Sequence, residues 1–245
     1  MDKTEKISKP ILVLHVKNGY EEREAHMRRE LGKIGADFTF ILDGDKTDMT
    51  EEVLKKYFVP EMQEVTAGNS CSLKHLMACK YIIEHDLPGA LVFEDDMLLY
   101  KNFVRVFNEC MEEIERRQLE NPLVNFEDSA LRFVPRSQRK KGQHLYPMMR
   151  GRFAGSLFYS RGVAEQIVNY VEKHRFDVPM DVLQGELTKR IGLHYYYCHP
   201  TIATQGTHNG LFASSLDATS ARKQRYRARI WRFKLAYKKL VYFFR

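Results

Sequence analysis

Short apolar runs alternate with amphipathic stretches through the first hundred residues, and this limits the possible folds more than any other feature. Ile11–Val16 (ILVLHV) is a compact apolar run, which predicts a buried strand. Glu21–Ile34 follows, with Ala25, Met27, Leu31 and Ile34 at helical spacing and Gly35 as a stop. Asp37–Leu42 (DFTFIL) predicts a second strand, closed by the turn signal Asp43-Gly44-Asp45. A helix is expected from a cap at Asn69 or Ser70 to about His85, with Leu73, Leu76, Met77, Tyr81 and Ile82 on one face. Pro88-Gly89 breaks it, and Ala90–Phe93 is a third buried strand running straight into Glu94-Asp95-Asp96. Strands alternating with helices imply an α/β sandwich with a mostly parallel sheet. Ligands bind such sheets at the carboxyl ends of strands, which is where the three acids fall.

Further along, Phe103–Leu119 reads as an amphipathic helix, Leu123–Phe126 as a strand and Arg136–His144 (RSQRKKGQH) as a polar basic loop. Gly155–Tyr159 predicts a strand, Ser160 the start of a helix to about His174, Asp181–Ile191 a shorter helix and His194–Cys198 a late strand. At 245 residues the chain suits one large domain, with or without an appendage. No apolar run has the length of a membrane span, and residues 1–9 are too polar for a secretory leader. The four cysteines form no CxxC pair, so reduced thiols in a cytoplasmic protein are expected.

Charge separates the end of the chain from its body. Lys and Arg number 39 against 32 Asp and Glu, a net +7. Ten of those cations and none of the acids lie between Ala218 and Arg245, so the rest carries 29 against 32 and is near −3. This places a domain over 1–217 and a basic tail over 218–245. On a helix, Tyr226, Ile230, Phe233, Tyr237, Val241 and Phe244 recur every three or four residues as one apolar-aromatic stripe. That pattern suits an interfacial helix on an anionic membrane, each near-surface cation adding roughly 1 kcal/mol. Packing on the domain is the other reading. No nucleic-acid partner is expected, because binding a phosphate backbone needs no stripe.

Three consecutive acids after a buried strand repel one another unless a cation offsets them. Hard carboxylate oxygens suit Mn²⁺ or Mg²⁺, which commonly bind one or two carboxylates together with substrate phosphates. In an extended segment Glu94 and Asp96 face the same way, and Asp95 turns toward a helix N-terminus or a basic side chain. A solvated acidic turn would show the same pattern.

Gly68–Tyr100 (GNSCSLKHLMACKYIIEHDLPGALVFEDDMLLY) resembles the signature region of glycosyltransferase family 25, the family of lipooligosaccharide glycosyltransferases and collagen galactosyltransferases. The matching pieces are Gly68, Cys71, Leu73 and His75, then Phe93-Glu94-Asp95-Asp96. In order around them stand Arg23, Asp43-Gly44, Gly155 with Tyr159-Ser160-Arg161 and Ala164, Val178-Pro179-x-Asp181, and Pro200 to Gln205. The chain departs from the family pattern at His15-Val16-Lys17, where Asn-Leu-Asp is usual, and at Ser70 and Lys74, which replace Gly and Ser.

The resemblance implies a glycosyltransferase A-type, Rossmann-like single domain ahead of the helical tail. It implies Mn²⁺ (or Mg²⁺) and inverting transfer of a sugar, commonly galactose, from a nucleotide sugar such as a UDP-sugar. The acceptor would be a saccharide, lipid-linked in lipopolysaccharide or surface polysaccharide, at the inner face of the cytoplasmic membrane. Asp96, Glu94 and His208 are the candidate metal ligands, with His199 as a rival from the same late loop. Arg23, Asp43, His75, Glu94 and Asp95 are candidates for the donor site. Asp181 and Glu186 are candidates for the base that takes the acceptor proton. Cys71 lies one helical turn from His75, but nothing else supports covalent catalysis. An inactive transferase-like binding module, or a nucleotidyltransferase, is the alternative.

Overall fold

The computed structural model describes residues 6–212 and 221–244. Its elements are β1 (Ile11–Leu14), α1 (Glu21–Gly32), β2 (Thr39–Ile41), α2 (Glu51–Tyr57), α3 (Ala67–Glu84), β3 (Gly89–Glu94), β4 (Met97–Leu99) and α4 (Phe103–Arg116). There follow β5 (Leu123–Asn125), β6 (Leu145–Pro147), β7 (Ser156–Ser160), α5 (Arg161–His174), α6 (Met180–Arg190), β8 (Tyr195–Cys198), β9 (Ala203–Gln205) and α7 (Ala221–Phe243). The expected 217/218 boundary lies outside the described residues.

Seven strands form one sheet in the order β2-β1-β3-β7-β5-β8-β6. β1 runs parallel to β2 and β3, and β5 parallel to β8. β7 lies between β3 and β5 and opposes both, while β6 opposes β8. Five of the seven strands run in one direction, so the sheet is mostly parallel in that sense, as expected, but the reversed β7 splits it and the reversed β6 closes one edge. Helices cover both faces. Leu12, Leu14, Ala90, Val92 and Tyr159 join α3, α5 and α6 in one core. Their sequence neighbours Ile11, Val13, Leu91, Phe93 and Phe158 join α1 and α4 in the other. This period-two division explains why β1 and β3 read as continuous apolar runs rather than alternating ones.

Local chemistry sets the helix starts near the site. Thr66 caps α3 by accepting from the Asn69 amide (3.1 Å), so the helix begins earlier than Asn69 or Ser70. Asn69 instead donates through Nδ2 to the Met62 and Glu64 carbonyls (2.7 and 2.9 Å). Ser160 caps α5 through the Val163 amide, as its position predicts. Gly44 sits at φ +91°, where a Cβ would also press on the Lys74 amide nitrogen at 3.0 Å.

A short antiparallel ribbon, β4 with β9, completes the architecture. It holds the segment after Gln205 against the acidic turn, where the Gly206 amide donates to the Asp96 carbonyl (2.7 Å). Helix α7 packs on the domain through Trp231, which is 9% exposed, and through Tyr242, whose ring meets Phe133 edge-on. Lys239 reaches Asp128 at 3.7 Å and lies over the Tyr100 ring. The predicted stripe is mostly on another face. Tyr226, Phe233, Tyr237 and Phe244 are exposed, Phe233 by 80%, whereas Ile230 and Val241 are half-buried. Domain packing and an outward aromatic stripe thus coexist on one helix. No helix among the described residues is long and apolar enough to cross a membrane.

Candidate active site

A cavity of about 860 Å³ opens at the carboxyl ends of β1 and β3. The first turns of α3 and α6 border it through Ala67, Gly68, Met180 and Asp181. Residues 95 and 96 form a turn between β3 and β4, so strand alternation ends at Glu94 and the three acids take separate directions. Glu94 turns toward α3. Its Oε1 lies 3.6 Å from Cys71 Sγ and 3.7 Å from His75 Nε2, and its Oε2 accepts from Gln205 Nε2 (3.3 Å). Asp95 turns under β1, accepting from Arg23 Nη1 (2.8 Å) and pairing with His15 Nδ1 (2.9 Å). Asp96 turns to the late loop, where its Oδ2 accepts from the Thr207 amide (3.1 Å) and the Thr207 hydroxyl. Its Oδ1 is buried with no hydrogen-bond partner among the described residues.

Burial, reinforced by Asp96 and Asp95, pushes the Glu94 carboxyl up to about 8. Glu94 is therefore largely protonated at neutral pH. Burial lowers His75 to about 4, so its imidazole is neutral. Burial and the nearby Glu94 push the Cys71 thiol well up, which leaves it protonated and a poor nucleophile. Asp181 is half-buried in the first turn of α6, lines the cavity, and its charge is felt at Cys71, His75 and Glu94.

Arg23, His75, Glu94, Asp95, Asp96, Asp181 and His208 all line this cavity. His208 stacks between Phe153 (centroids 5.3 Å apart) and Trp231 (5.1 Å), so α7 reaches the cavity wall. Two predicted residues are not brought there. Glu186 follows Asp181 by five positions, roughly 140° around the helix, and pairs with Lys189 instead (3.4 Å). Asp43 is 81% exposed, with its carboxylate 4.0 Å from Lys17. Asp45 lines the cavity in its place, paired with Lys74 Nζ (2.6 Å). Asp43-Gly44-Asp45 signals the turn but not which acid enters.

His199, the rival loop histidine, is not among the lining residues. Its ring meets Tyr146 edge-on, and burial holds it near 4. All four cysteines are free thiols in the structure, Cys79, Cys110 and Cys198 buried and Cys71 half-buried.

Glu127 lies beneath the site. The Gly155 amide donates to its Oε1 (2.6 Å), and its Oε2 is buried and unpartnered among the described residues. Burial first, and the charge of Glu94 among its neighbours, hold this carboxyl up at about 8, against a hydrogen bond from Ser129. A raised folded pKa gives stability that is complete below the unfolded value and lost as pH rises through the folded one. Glu127→Gln removes that loss. Urea unfolding should show the variant gaining on the wild type between pH 5 and pH 9; a difference constant with pH would exclude a buried neutral Glu127.

A family model shows the class of protein to which the chain belongs. The family model for glycosyltransferase family 25 (LPS biosynthesis protein) matches residues 9–182. The chain belongs to this family, and it is a glycosyltransferase. No curated protein matches it. Among solved structures, it is similar to a glycosyltransferase involved in the glycosylation of the major capsid of PBCV-1, at 10% identity over 90% of this chain and 99% of that one, TM-score 0.42. It also matches mannose-1-phosphate geranyltransferase from Thermus thermophilus, at 14% identity over 95% of this chain and 66% of that one, TM-score 0.26.

Proposed function

We propose that the cavity binds a nucleoside diphosphate sugar, a UDP-hexose such as UDP-galactose, and transfers the sugar with inversion to a saccharide hydroxyl. The observation that carries this reading is Asp96 Oδ1, a buried carboxylate oxygen on the cavity wall without a partner among the described residues. It fits a hard cation, Mn²⁺ or Mg²⁺, held by Asp96 with His208 at hand, whereas Glu94, the other acid the sequence offered as a ligand, turns away toward α3. When bound, the ion offsets the charge of the diphosphate. The first turn of α3 carries no acid and suits the same anion.

Asp181 takes the proton of the acceptor hydroxyl as that oxygen attacks the anomeric carbon. The bond to the diphosphate breaks, and the nucleoside diphosphate leaves on the opposite face. Glu94 is a poor base at neutral pH because it already holds a proton. Arg23 and His15 hold Asp95, and through it the turn that places Asp96.

Thermal unfolding with a panel of nucleotide sugars, with and without Mn²⁺, tests this reading. A donor at about 100 times its Kd adds about 2.7 kcal/mol of stability. The largest shift should need both donor and Mn²⁺ and should vanish in Asp96→Asn. If no nucleotide sugar shifts the wild type in Mn²⁺, the donor assignment is wrong.

The acceptor is read as lipid-linked, in lipopolysaccharide or surface polysaccharide, with residues 218–245 as the part that docks on an anionic membrane at its inner face. The exposed Phe233, Tyr237 and Phe244 support this. Changing all three to Ser should sharply weaken binding to anionic vesicles while leaving the melting temperature nearly unchanged, because these side chains stand outside the core. Undiminished vesicle binding would leave only electrostatic attachment.

A further inference from the structure

The α3 wall of the cavity carries a cluster that the transfer reaction does not use. Cys71 and His75 stand one helical turn apart on α3, and Glu94 at the end of β3 reaches between them. One ligand atom from each lies within 4.8 Å of the others. His75 Nε2 is fully buried, aimed at this cluster, and has no hydrogen-bond partner among the described residues. We propose that Cys71 Sγ, His75 Nε2 and the Glu94 carboxylate form a three-ligand site for Zn²⁺, separate from the Asp96 oxygen that suits Mn²⁺ or Mg²⁺.

Distances support this assignment. Tetrahedral Zn²⁺ with bonds of about 2.3 Å to sulfur, about 2.0 Å to nitrogen and about 2.1 Å to oxygen holds S and O about 3.6 Å apart and N and O about 3.4 Å apart. The corresponding separations are 3.6 Å for Cys71 Sγ to Glu94 Oε1 and 3.7 Å for His75 Nε2 to Glu94 Oε1. Cys71 Sγ and His75 Nε2, within 4.8 Å of each other, must draw together to about 3.5 Å to close the shell.

The histidine has the support that ligating histidines commonly have. Its Nδ1 lies 3.0 Å from the Tyr159 hydroxyl, which Gln184 contacts in turn (2.6 Å). In the tautomer that donates from Nδ1 to Tyr159, the Nε2 lone pair faces Glu94 and Cys71. A thiol, an imidazole and one carboxylate are a softer set than Mg²⁺ or Mn²⁺ prefers, and they suit Zn²⁺. All three residues line the cavity, so a fourth position opens toward it, as in sites that exchange ligands rather than structural ones. Binding releases the thiol and carboxyl protons, so affinity rises with pH.

Cobalt(II) is the direct probe, used on the full chain after chelator treatment. Co²⁺ should bind at one equivalent with a thiolate-to-cobalt charge-transfer band in the near ultraviolet. Zn²⁺ should displace it, and a large excess of Mg²⁺ should not. Cys71→Ser should abolish the band. Cys110→Ser should keep it, although Cys110 Sγ lies 3.6 Å from Cys198 Sγ and the two could offer a thiolate pair elsewhere. His75→Gln, judged by circular dichroism to be folded, should weaken Co²⁺ binding about 10-fold or more. This readout does not depend on donor binding, so it can fail while the transferase reading stands. The proposal is overturned if the wild type shows no such band, if the band survives in Cys71→Ser, or if Mg²⁺ displaces the cobalt as readily as Zn²⁺ does.

Discussion

Asp181→Asn is expected to lower turnover by roughly 10²–10⁴-fold, the span for losing a general base. Donor affinity should barely change. Asp181 stands in the first turn of α6, while the donor's diphosphate is assigned to the Asp96 side of the cavity. Asn is nearly the same size as Asp and cannot accept the hydroxyl proton. Glu186→Gln is the internal control. It sits on the same helix but pairs with Lys189, and it should cost little. A collapse of donor affinity in Asp181→Asn, with turnover intact at saturating donor, would move Asp181 to the donor site.

Asp96→Asn is the second large effect. Thr207 donates to Asp96 Oδ2 from its amide and its hydroxyl, and an Asn carbonyl oxygen can accept both. The Asn amide group then occupies the place of the unpartnered Oδ1. The fold should survive with a melting temperature near that of the wild type. A ligand charge is removed, and with it several kcal/mol of stabilisation at the departing diphosphate, so transfer should fall by roughly 10³-fold or more. Asp95→Asn differs in kind. It breaks the pairs with Arg23 and His15 and should lower stability along with activity. Near-wild-type transfer by Asp96→Asn in limiting Mn²⁺ would remove the metal from Asp96.

The framework was legible because both faces of the central strands are buried. Ile11–Leu14 and Gly89–Glu94 are each apolar on two sides, so their runs stand out, and the acids that follow β3 mark the strand end where ligands bind. Other features were not. β4, β6 and β9 are three residues each, too short for a periodic signal. The reversed direction of β7 depends on a long-range pairing with β3 and β5. Within the site, alternation fails at Glu94 and Asp96 because a turn, not a strand, separates them.

Three of the departures from the family pattern, His15, Lys17 and Lys74, pair with acids. His15 pairs with Asp95, Lys17 with Asp48 (2.8 Å), and Lys74 with Asp45 while donating to the His15 carbonyl (2.7 Å). These three meet carboxylates that sequence position alone does not connect to them, while Ser70 donates to the Gly44 carbonyl (2.7 Å). Trp231 is the clearest omission. The aromatic stripe follows the helix period, whereas Trp231 lies off that stripe and faces inward to stack on His208. A single tryptophan in the chain, on an otherwise cationic helix, was the available signal.

The stereochemistry of the product tests the central claim most directly. One carboxylate base on the acceptor side, with the diphosphate departing from the other, produces inversion in a single displacement. Proton magnetic resonance of the glycosidic product, formed from an α-linked nucleotide sugar in Mn²⁺, should show a β-anomer in the wild type and no product with Asp96→Asn. An α-anomer, or product formed by Asp96→Asn as fast as by the wild type, would contradict the account.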